Sequence, residues 1–269
     1  MSCGECDKEL IMDLGLEGRI AMVTGGSHGL GYQIASCLAR EGCKVSLCAR
    51  DKRRVDEVVS EIQSQGFTAR GSQADVTNEA DLQLFYNETL DQLGHPDILV
   101  NNVGGRRGSV NFADTSMDQF IAGLDLNLIS AVRLTKLVID HMKSQEWGRI
   151  INIASISGRE HGGSIDYMTA KAALIAFSKH LALQSAQYNV LVNCVAPGSI
   201  DFPGSTWDRY QRIEPPDVVA EFIDRNLPMG KFGWPEPIGE TVAFLASEKA
   251  DLITGACLNV DGGQSHSLI

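Results

Sequence analysis

Short strand-like runs alternate with amphipathic stretches along almost the whole chain, and that alternation is the strongest limit on its fold. The runs occupy 19–24, 44–49, 68–75, 97–100, 149–155, 190–196 and 257–260. Most are apolar throughout and of strand length, which suits strands buried on both faces. Between them, apolar residues recur at helical spacing. Leu30, Ile34 and Leu38 form one such stripe, and Val55, Val58, Val59 and Ile62 a second within 51–65. Leu82, Phe85 and Leu93 mark a helix over 78–93, and Phe120, Leu124, Leu128, Val132 and Leu137 a long one over 117–145. Further helices are expected over 167–187 and 236–247. Alternating strands and helices of this kind build an α/β fold, a doubly wound parallel sheet of about seven strands with helices on both faces.

The chain has 269 residues, with 43% hydrophobic and 21% charged. That supplies the core of one large α/β domain, expected over 16–269, after an extended or disordered tail over 1–15. The formal net charge is −11. Nucleic-acid binding calls for a basic face, so that partner class is excluded. No apolar run reaches the ~20 residues of a membrane span. The N-terminal stretch has acidic residues and no long apolar run, unlike a secretory leader. A cytoplasmic location with no membrane partner is the expectation. Seven cysteines (3, 6, 37, 43, 48, 194 and 257) are scattered without the pattern of a disulfide framework. Cys37, Cys48, Cys194 and Cys257 lie in apolar stretches and read as buried thiols. Cys3 and Cys6 have metal-like spacing without a second pair nearby, so no metal site is expected.

The first run, Arg19 to Thr24, leads into Gly25-Gly26-Ser27-His28-Gly29-Leu30-Gly31 and then a helix. A glycine turn between a strand and a helix aims backbone N–H groups and the positive helix end at a phosphate. Small residues there let a pyrophosphate approach the backbone, as in Rossmann-type folds. Residues 199–229 break the alternation with Pro203, Gly204, Pro215, Pro216 and Pro228 and with Phe202, Trp207, Tyr210 and Phe222. A long irregular segment after the C-terminal end of a strand is expected to be a lid over a binding site.

Tyr167 and Lys171 are four residues apart, one turn on the same helix face. Ser155 ends the run Ile150 to Ala154, and Gly158, Gly162 and Gly163 allow the chain to turn back toward Tyr167. A phenol with a pKa near ~10 is a poor base at neutral pH. A neighbouring ammonium favours the phenolate and lowers that value. Such a tyrosine can pass a proton to or from a carbonyl or alcohol oxygen, while the serine hydroxyl fixes that oxygen.

Taken together, Thr24-Gly25-Gly26-Ser27-His28-Gly29-Leu30-Gly31, Asn101-Asn102-Val103-Gly104, Ser155, Tyr167, Lys171 and Pro197-Gly198 resemble the motifs of the short-chain dehydrogenase/reductase family. The resemblance covers about residues 16–264 and is nearest to the 3-oxoacyl-carrier-protein-reductase-like branch. Val103 departs from the family's alanine. The resemblance implies a catalytic set of Asn127, Ser155, Tyr167 and Lys171. Tyr167 would be the acid in reduction and the base in oxidation. Lys171 would lower its pKa and hold the nicotinamide ribose, Ser155 would polarise the substrate oxygen, and Asn127 would hold a water joining Lys171 to solvent. Gly25, Ser27, His28, Gly29, Leu30 and Gly31 would cradle the coenzyme. Asn102, Val103 and Gly104 would line its adenosine side, with Asp75 and Val76 at the adenine. Pro197, Gly198 and Ile200 would meet the nicotinamide amide.

A carboxylate about twenty residues beyond the glycines suits the ribose of NAD, whereas an arginine suits the 2′-phosphate of NADP. The position in question is Ala49, followed by Arg50, with Lys52, Arg53 and Arg54 adding positive field. NADP(H) is therefore expected over NAD(H), although Asp51 and His28 leave the second coenzyme open. The substrate is expected to be a small carbonyl or alcohol compound, an acyl thioester among the candidates. Gly105, Arg106, Arg159, His161, Phe202 and Trp207 are the expected contacts, and Arg106, Arg107 and Arg159 could meet an anionic group. A coenzyme-binding sensor without catalysis is the alternative, as is an NAD-dependent sugar or alcohol dehydrogenase. The resemblance also implies a homotetramer or homodimer, formed through helices that carry Leu134, Leu137 and Val138 and Leu174, Phe177 and Leu181.

Overall fold

A computed structural model describes residues 12–268. The Cys3 and Cys6 pair and most of the expected tail therefore lie outside the described residues. The ordered body begins before residue 16: Leu14 packs on the core, and its carbonyl accepts the Glu248 N–H.

The alternation becomes one seven-stranded sheet. Its strands are β1 (Ile20–Thr24), β2 (Lys44–Ala49), β3 (Ala69–Gln73), β4 (Ile98–Asn101), β5 (Gly148–Ile153), β6 (Val190–Pro197) and β7 (Cys257–Val260). Their order is β3-β2-β1-β4-β5-β6-β7, and every pair is parallel. The strand order reverses between β1 and β4. In such sheets, ligands bind outside the carboxyl ends of the strands at that switch point. The residues of β1, β4, β5 and β6 are buried along their whole length.

Two apolar layers cover the sheet. One packs Ile34, Leu38 and Val55 with Val242 and Leu245 against β1 and β2. The other packs Leu82, Phe85, Leu134 and Val138 against Met22, Leu99 and Ile150. Each such side chain contributes roughly 1.5–3 kcal/mol on burial. Helices α1 (Gly29–Arg40), α2 (Lys52–Ser64) and α3 (Glu79–Gln92) follow the first three strands. Asp51 caps α2 and Asn78 caps α3, each accepting backbone N–H bonds from the first turn.

The expected long helix runs as α4 (Met117–Leu124), a π-helical turn (Asp125–Ile129) and α5 (Ser130–Ser144). Ser116 and Gln119 form a reciprocal capping box at its start. The π turn holds Asn127, and π turns recur at functional sites. Helix α6 (Ile165–Ser185) begins two residues before Tyr167.

Buried polar side chains tie α6 to the sheet. Asn101 donates to Asn152 at 2.8 Å, Asn152 to Ser178 at 2.8 Å, and the Cys194 thiol to Ser178 at 3.1 Å. Leu134, Val138 and Leu174 are buried within this chain, so those apolar faces serve its own core. On the same helices it is Met117, Ile121, Ile129 and Leu183 that are exposed.

The segment 199–229 is more regular than its prolines suggested. It contains α7 (Thr206–Ile213) and α8 (Pro216–Asn226), and Pro216 stands in the first turn of α8, where its missing N–H costs nothing. Trp207, Tyr210 and Phe222 pack on one another and on Phe232, with ring centres 4.9–5.9 Å apart. Helix α9 (Glu236–Ala246) then leads to β7. Cys37, Cys43, Cys48 and Cys194 are buried free thiols and Cys257 is part-buried. Burial pushes Cys43 and Cys48 up to about 12, which makes them inert.

Candidate active site

Two clefts meet at the carboxyl ends of β1 and β4. The first, of about 460 Å³, lies over the glycine turn. Gly25 and Gly29 have φ of +67° and +55°, a region that disfavours a side chain. A Cβ on Gly31 would stand 2.1 Å from the Gly25 carbonyl oxygen, so the turn demands glycine there. No side chain caps α1, which leaves the N–H groups of its first turn for another partner.

Asn102 braces the turn from β4. Its backbone N–H donates to Thr24 Oγ1 and its Nδ2 to the Thr24 carbonyl, both at 2.9 Å. Ser27, His28, Leu30, Val76, Val103 and Gly104 line the same cleft. His28 is also held by the segment after β6: its Nε2 bonds the Pro203 carbonyl at 2.7 Å and its ring meets Phe202 edge-on. Asp75 lies on the far wall, and Thr77 donates to it through both N–H and hydroxyl. The Thr77 N–H is the main reason its pKa falls below the ordinary carboxylate value, with Arg50 and Arg107 adding to it.

The cations after β2 divide. Arg50 and Arg54 line the cleft. Lys52 and Arg53 do not; they pair with Asp56 and Glu57 along the outer face of α2. Asp51, the candidate ribose ligand for NAD, lines the same cleft; its half-exposed carboxylate also caps α2 and pairs with Arg54 at 3.5 Å.

The second cleft, of about 570 Å³, shares Leu30, Asn102, Gly104, Gly105 and Phe202 with the first, so the two form one groove. Ser155, Tyr167 and Lys171 lie together on its wall. Ser155 stands at the end of β5 and caps the short turn Ile156–Gly158. Its hydroxyl also lies near enough to the Tyr167 phenol to lower that group's pKa. Lys171 Nζ donates to the Ile153 carbonyl at 2.6 Å and lies 5.6 Å from the Tyr167 ring centre. Burial lowers the Lys171 pKa to about 8.

The electrostatics depart from the expectation. Burial raises the Tyr167 pKa above its ordinary value, opposed by the nearby Ser155 hydroxyl and the Arg106 charge. Lys171 does not reverse that rise: its ammonium is directed at Ile153, and desolvation weakens its own hold on a proton.

Asn127 sits behind the cleft wall. Its Oδ1 accepts the Gly105 N–H at 2.9 Å, and its Nδ2 donates to the carbonyls of Gly105 and Gly123, both at 2.8 Å. Its amide is thus spent on backbone, and one Oδ1 lone pair remains for the water expected there. Gly104 fits between it and Lys171: a Cβ would lie 2.8 Å from Asn127 Oδ1 and 2.9 Å from Lys171 Nζ.

Pro197, Gly198 and Ile200 line the floor, while Arg106, His161 and Trp207 line the mouth. Arg159 is turned away. Its guanidinium bonds the Cys257 carbonyl at 3.0 Å and Asn259 Oδ1 at 2.5 Å, which anchors the loop to β7. Glu160, Phe222, Asn226, Gln264 and His266 also line the cleft, and sequence reasoning missed them. Only Phe222 carried a signal, as one of the lid's aromatic residues. Gln264 is held there by a two-way bond with Ser199, and Glu160 accepts from Ser265 and from the His266 N–H. Among the described residues no group of His, Cys, Asp or Glu could hold a metal ion, and no helix is long and apolar enough to cross a membrane.

The family model described as short chain dehydrogenase matches residues 19–212. The (2S)-[(R)-hydroxy(phenyl)methyl]succinyl-CoA dehydrogenase subunit BbsD of Thauera aromatica is 34% identical, over 94% of this chain and 98% of its own. The 3-oxoacyl-[acyl-carrier-protein] reductase FabG of Aquifex aeolicus is 35% identical, over 94% and 99%. Among solved structures, a 7 alpha-hydroxysteroid dehydrogenase complexed with NADH and 7-oxo glycochenodeoxycholic acid superposes with a TM-score of 0.86 at 30% identity, covering 96% of this chain and 98% of that one.

Proposed function

The chain belongs to the short-chain dehydrogenase/reductase family, and on that footing we propose that it is an NADP(H)-dependent oxidoreductase interconverting a ketone and a secondary alcohol. One observation carries the reading. Ser155, Tyr167 and Lys171 share a wall of the cleft that runs into the glycine-turn groove. The uncapped start of α1 would hold the phosphates of a dinucleotide, and Lys171 would hold its nicotinamide end. Glycines where a Cβ would collide, and N–H groups without side-chain partners, fit such a ligand.

When bound, the coenzyme supplies or accepts the hydride. Ser155 donates a hydrogen bond to the substrate oxygen and fixes it beside Tyr167. Tyr167 gives that oxygen its phenolic proton in reduction. A phenol kept protonated by burial is suited to the role of acid. Lys171, placed against the Ile153 carbonyl, would hold the ribose hydroxyls. The fit to NADP rests on Arg50, which lines the cleft together with Arg54, while Asp51 on the same wall also caps α2 and pairs with Arg54. The steroid enzyme of similar fold is complexed with NADH, so the fold is compatible with that coenzyme too. A guanidinium can grip a 2′-phosphate bidentately, so it is the side chain here that discriminates.

The substrate is a small carbonyl or alcohol compound, with acyl thioesters included on the strength of the FabG likeness. The protein works in the cytoplasm as a homotetramer or homodimer, and exposed Phe112, Met117, Ile121 and Ile129 supply an apolar face for self-association. The test is a panel of ketones and 3-oxoacyl thioesters assayed with NADPH and NADH. Turnover with at least tenfold higher kcat/KM for NADPH is expected. Comparable values for the two coenzymes would remove the NADP assignment. Coenzyme binding without turnover on any carbonyl would favour the sensor.

A further inference from the structure

Arg106 has a fixed backbone and an uncommitted side chain. On its N-terminal side, Gly105 is held at both N–H and carbonyl by the amide of Asn127. On its C-terminal side, the Arg107 N–H donates to Asp166 Oδ2 at 2.8 Å. Asn127 is 1% exposed and Asp166 is fully buried, so both clamps sit in the interior. Gly108 and Gly123 make room for the Asp166 carboxylate, since a Cβ on either would come within 3.0 Å of its oxygens. These contacts set the loop against the start of α6, immediately before Tyr167.

From that loop the two neighbouring arginines part. Arg107 lines the glycine-turn cleft near Asp75, and Arg106 lines the cleft of Ser155 and Tyr167. The Arg106 Nη2 lies 3.8 Å from where a Cβ on Gly163 would stand, beside the Tyr167 ring. Among the described residues, no carboxylate forms an ion pair with it. Glu160, the one carboxylate on the cleft wall, accepts from Ser265 and His266 instead. The lid brings Trp207 and Phe222 to the same cleft.

Arg106 is exposed at the cleft; a neutral substrate packed against its guanidinium would displace part of its water and return nothing, whereas an anionic one would replace that water with a charge-assisted pair. We propose that Arg106 anchors a carboxylate carried by the carbonyl substrate, whose apolar or aromatic part rests on Trp207 and Phe222. The preferred substrates are then aryl or alkyl oxo acids. The assignment rests on the oxidoreductase reading above, and it adds an anchoring role for Asn127 and Asp166 that acts through Arg106.

The probes are phenyl-substituted oxo acids with the ketone at the 2, 3 or 4 position, each compared with its methyl ester. The readout is the acid-to-ester ratio of kcat/KM with NADPH, which cancels any loss of active protein. We expect a ratio of about 10 to 100 for the best-spaced pair. It should fall to near 1 in Arg106→Gln and recover in part in Arg106→Lys. Esters turned over as well as or better than the acids, or the same ratio in Arg106→Gln as in the wild type, overturns the carboxylate anchor and leaves the oxidoreductase reading standing. Turnover of neither acids nor esters, by a protein that also reduces no other carbonyl, overturns both.

Discussion

The ammonium nitrogen of Lys171 lies 5.6 Å from the ring centre of Tyr167 and gives its hydrogen bond to the carbonyl of Ile153. The lysine is buried, and its pKa falls from 10.5 to about 8. A folded-state value below the unfolded one means that the native state carries the cost of the buried charge below pH 8. That cost is relieved as pH rises from about 8 toward 10.5, where the folded chain has lost a proton the unfolded chain still holds. Lys171→Met should therefore lose activity yet gain stability at pH 7, by up to about 3 kcal/mol. The gain should shrink by pH 10. Thermal melts of both proteins across that range check it; a stability difference independent of pH would contradict the buried-charge account.

Arg50 faces the glycine-turn cleft while Lys52 and Arg53 are paired elsewhere. Arg50→Ser should raise the KM for NADPH by about 10- to 100-fold, the worth of one charge-assisted pair, with much less effect on NADH. Steady-state kinetics with both coenzymes measure it. Equal losses for the two would point to a general role in adenosine binding.

Gly31 cannot accept a side chain without moving the Gly25 backbone. Gly31→Ala should cost about 1–3 kcal/mol of stability and weaken coenzyme binding more than tenfold. Chemical denaturation and a fluorescence titration report the two effects. Unchanged binding would show that the turn is not the phosphate cradle.

Arg149, buried at the start of β5, bonds Asp251 at 2.5 Å and lies on the face of Trp147. Removing the carboxylate leaves a buried guanidinium short of a partner. Asp251 is itself half exposed, so water replaces part of the loss. Asp251→Ala should lower stability by about 1–3 kcal/mol without changing kcat, since this end of the sheet is remote from the clefts. Urea unfolding beside an activity assay checks both halves.

Legibility in the sequence follows the range of the physics. The glycine turn, the Tyr167 and Lys171 spacing and the strand ends are local features, and they made the parallel sheet and the groove at its carboxyl ends legible. The π turn at Asn127 escaped because one extra residue in a helical turn barely disturbs the apolar period around Leu124 and Leu128. Helices α7 and α8 were hidden by Pro215 and Pro216, which mark a helix start as readily as a loop. Arg159 was placed in the pocket by its nearness to Ser155, but its guanidinium found acceptors on β7 that lie about a hundred residues on. Gln264 and His266 reach the cleft by contacts over similar separations, and no short pattern announces them. The balance of burial and charge at Tyr167 depends on how completely the ring is enclosed, which spacing alone does not determine.

The most direct measurement is single-turnover hydride transfer from NADPH in Tyr167→Phe. The phenol hydroxyl is the only group removed, and its worth as a proton donor is about 10²–10⁴ in rate. The account predicts a loss of that size with the NADPH dissociation constant within about threefold of the wild type, a factor worth less than about 1 kcal/mol. Wild-type rates in the Phe variant, or loss of coenzyme binding in step with loss of rate, would contradict it.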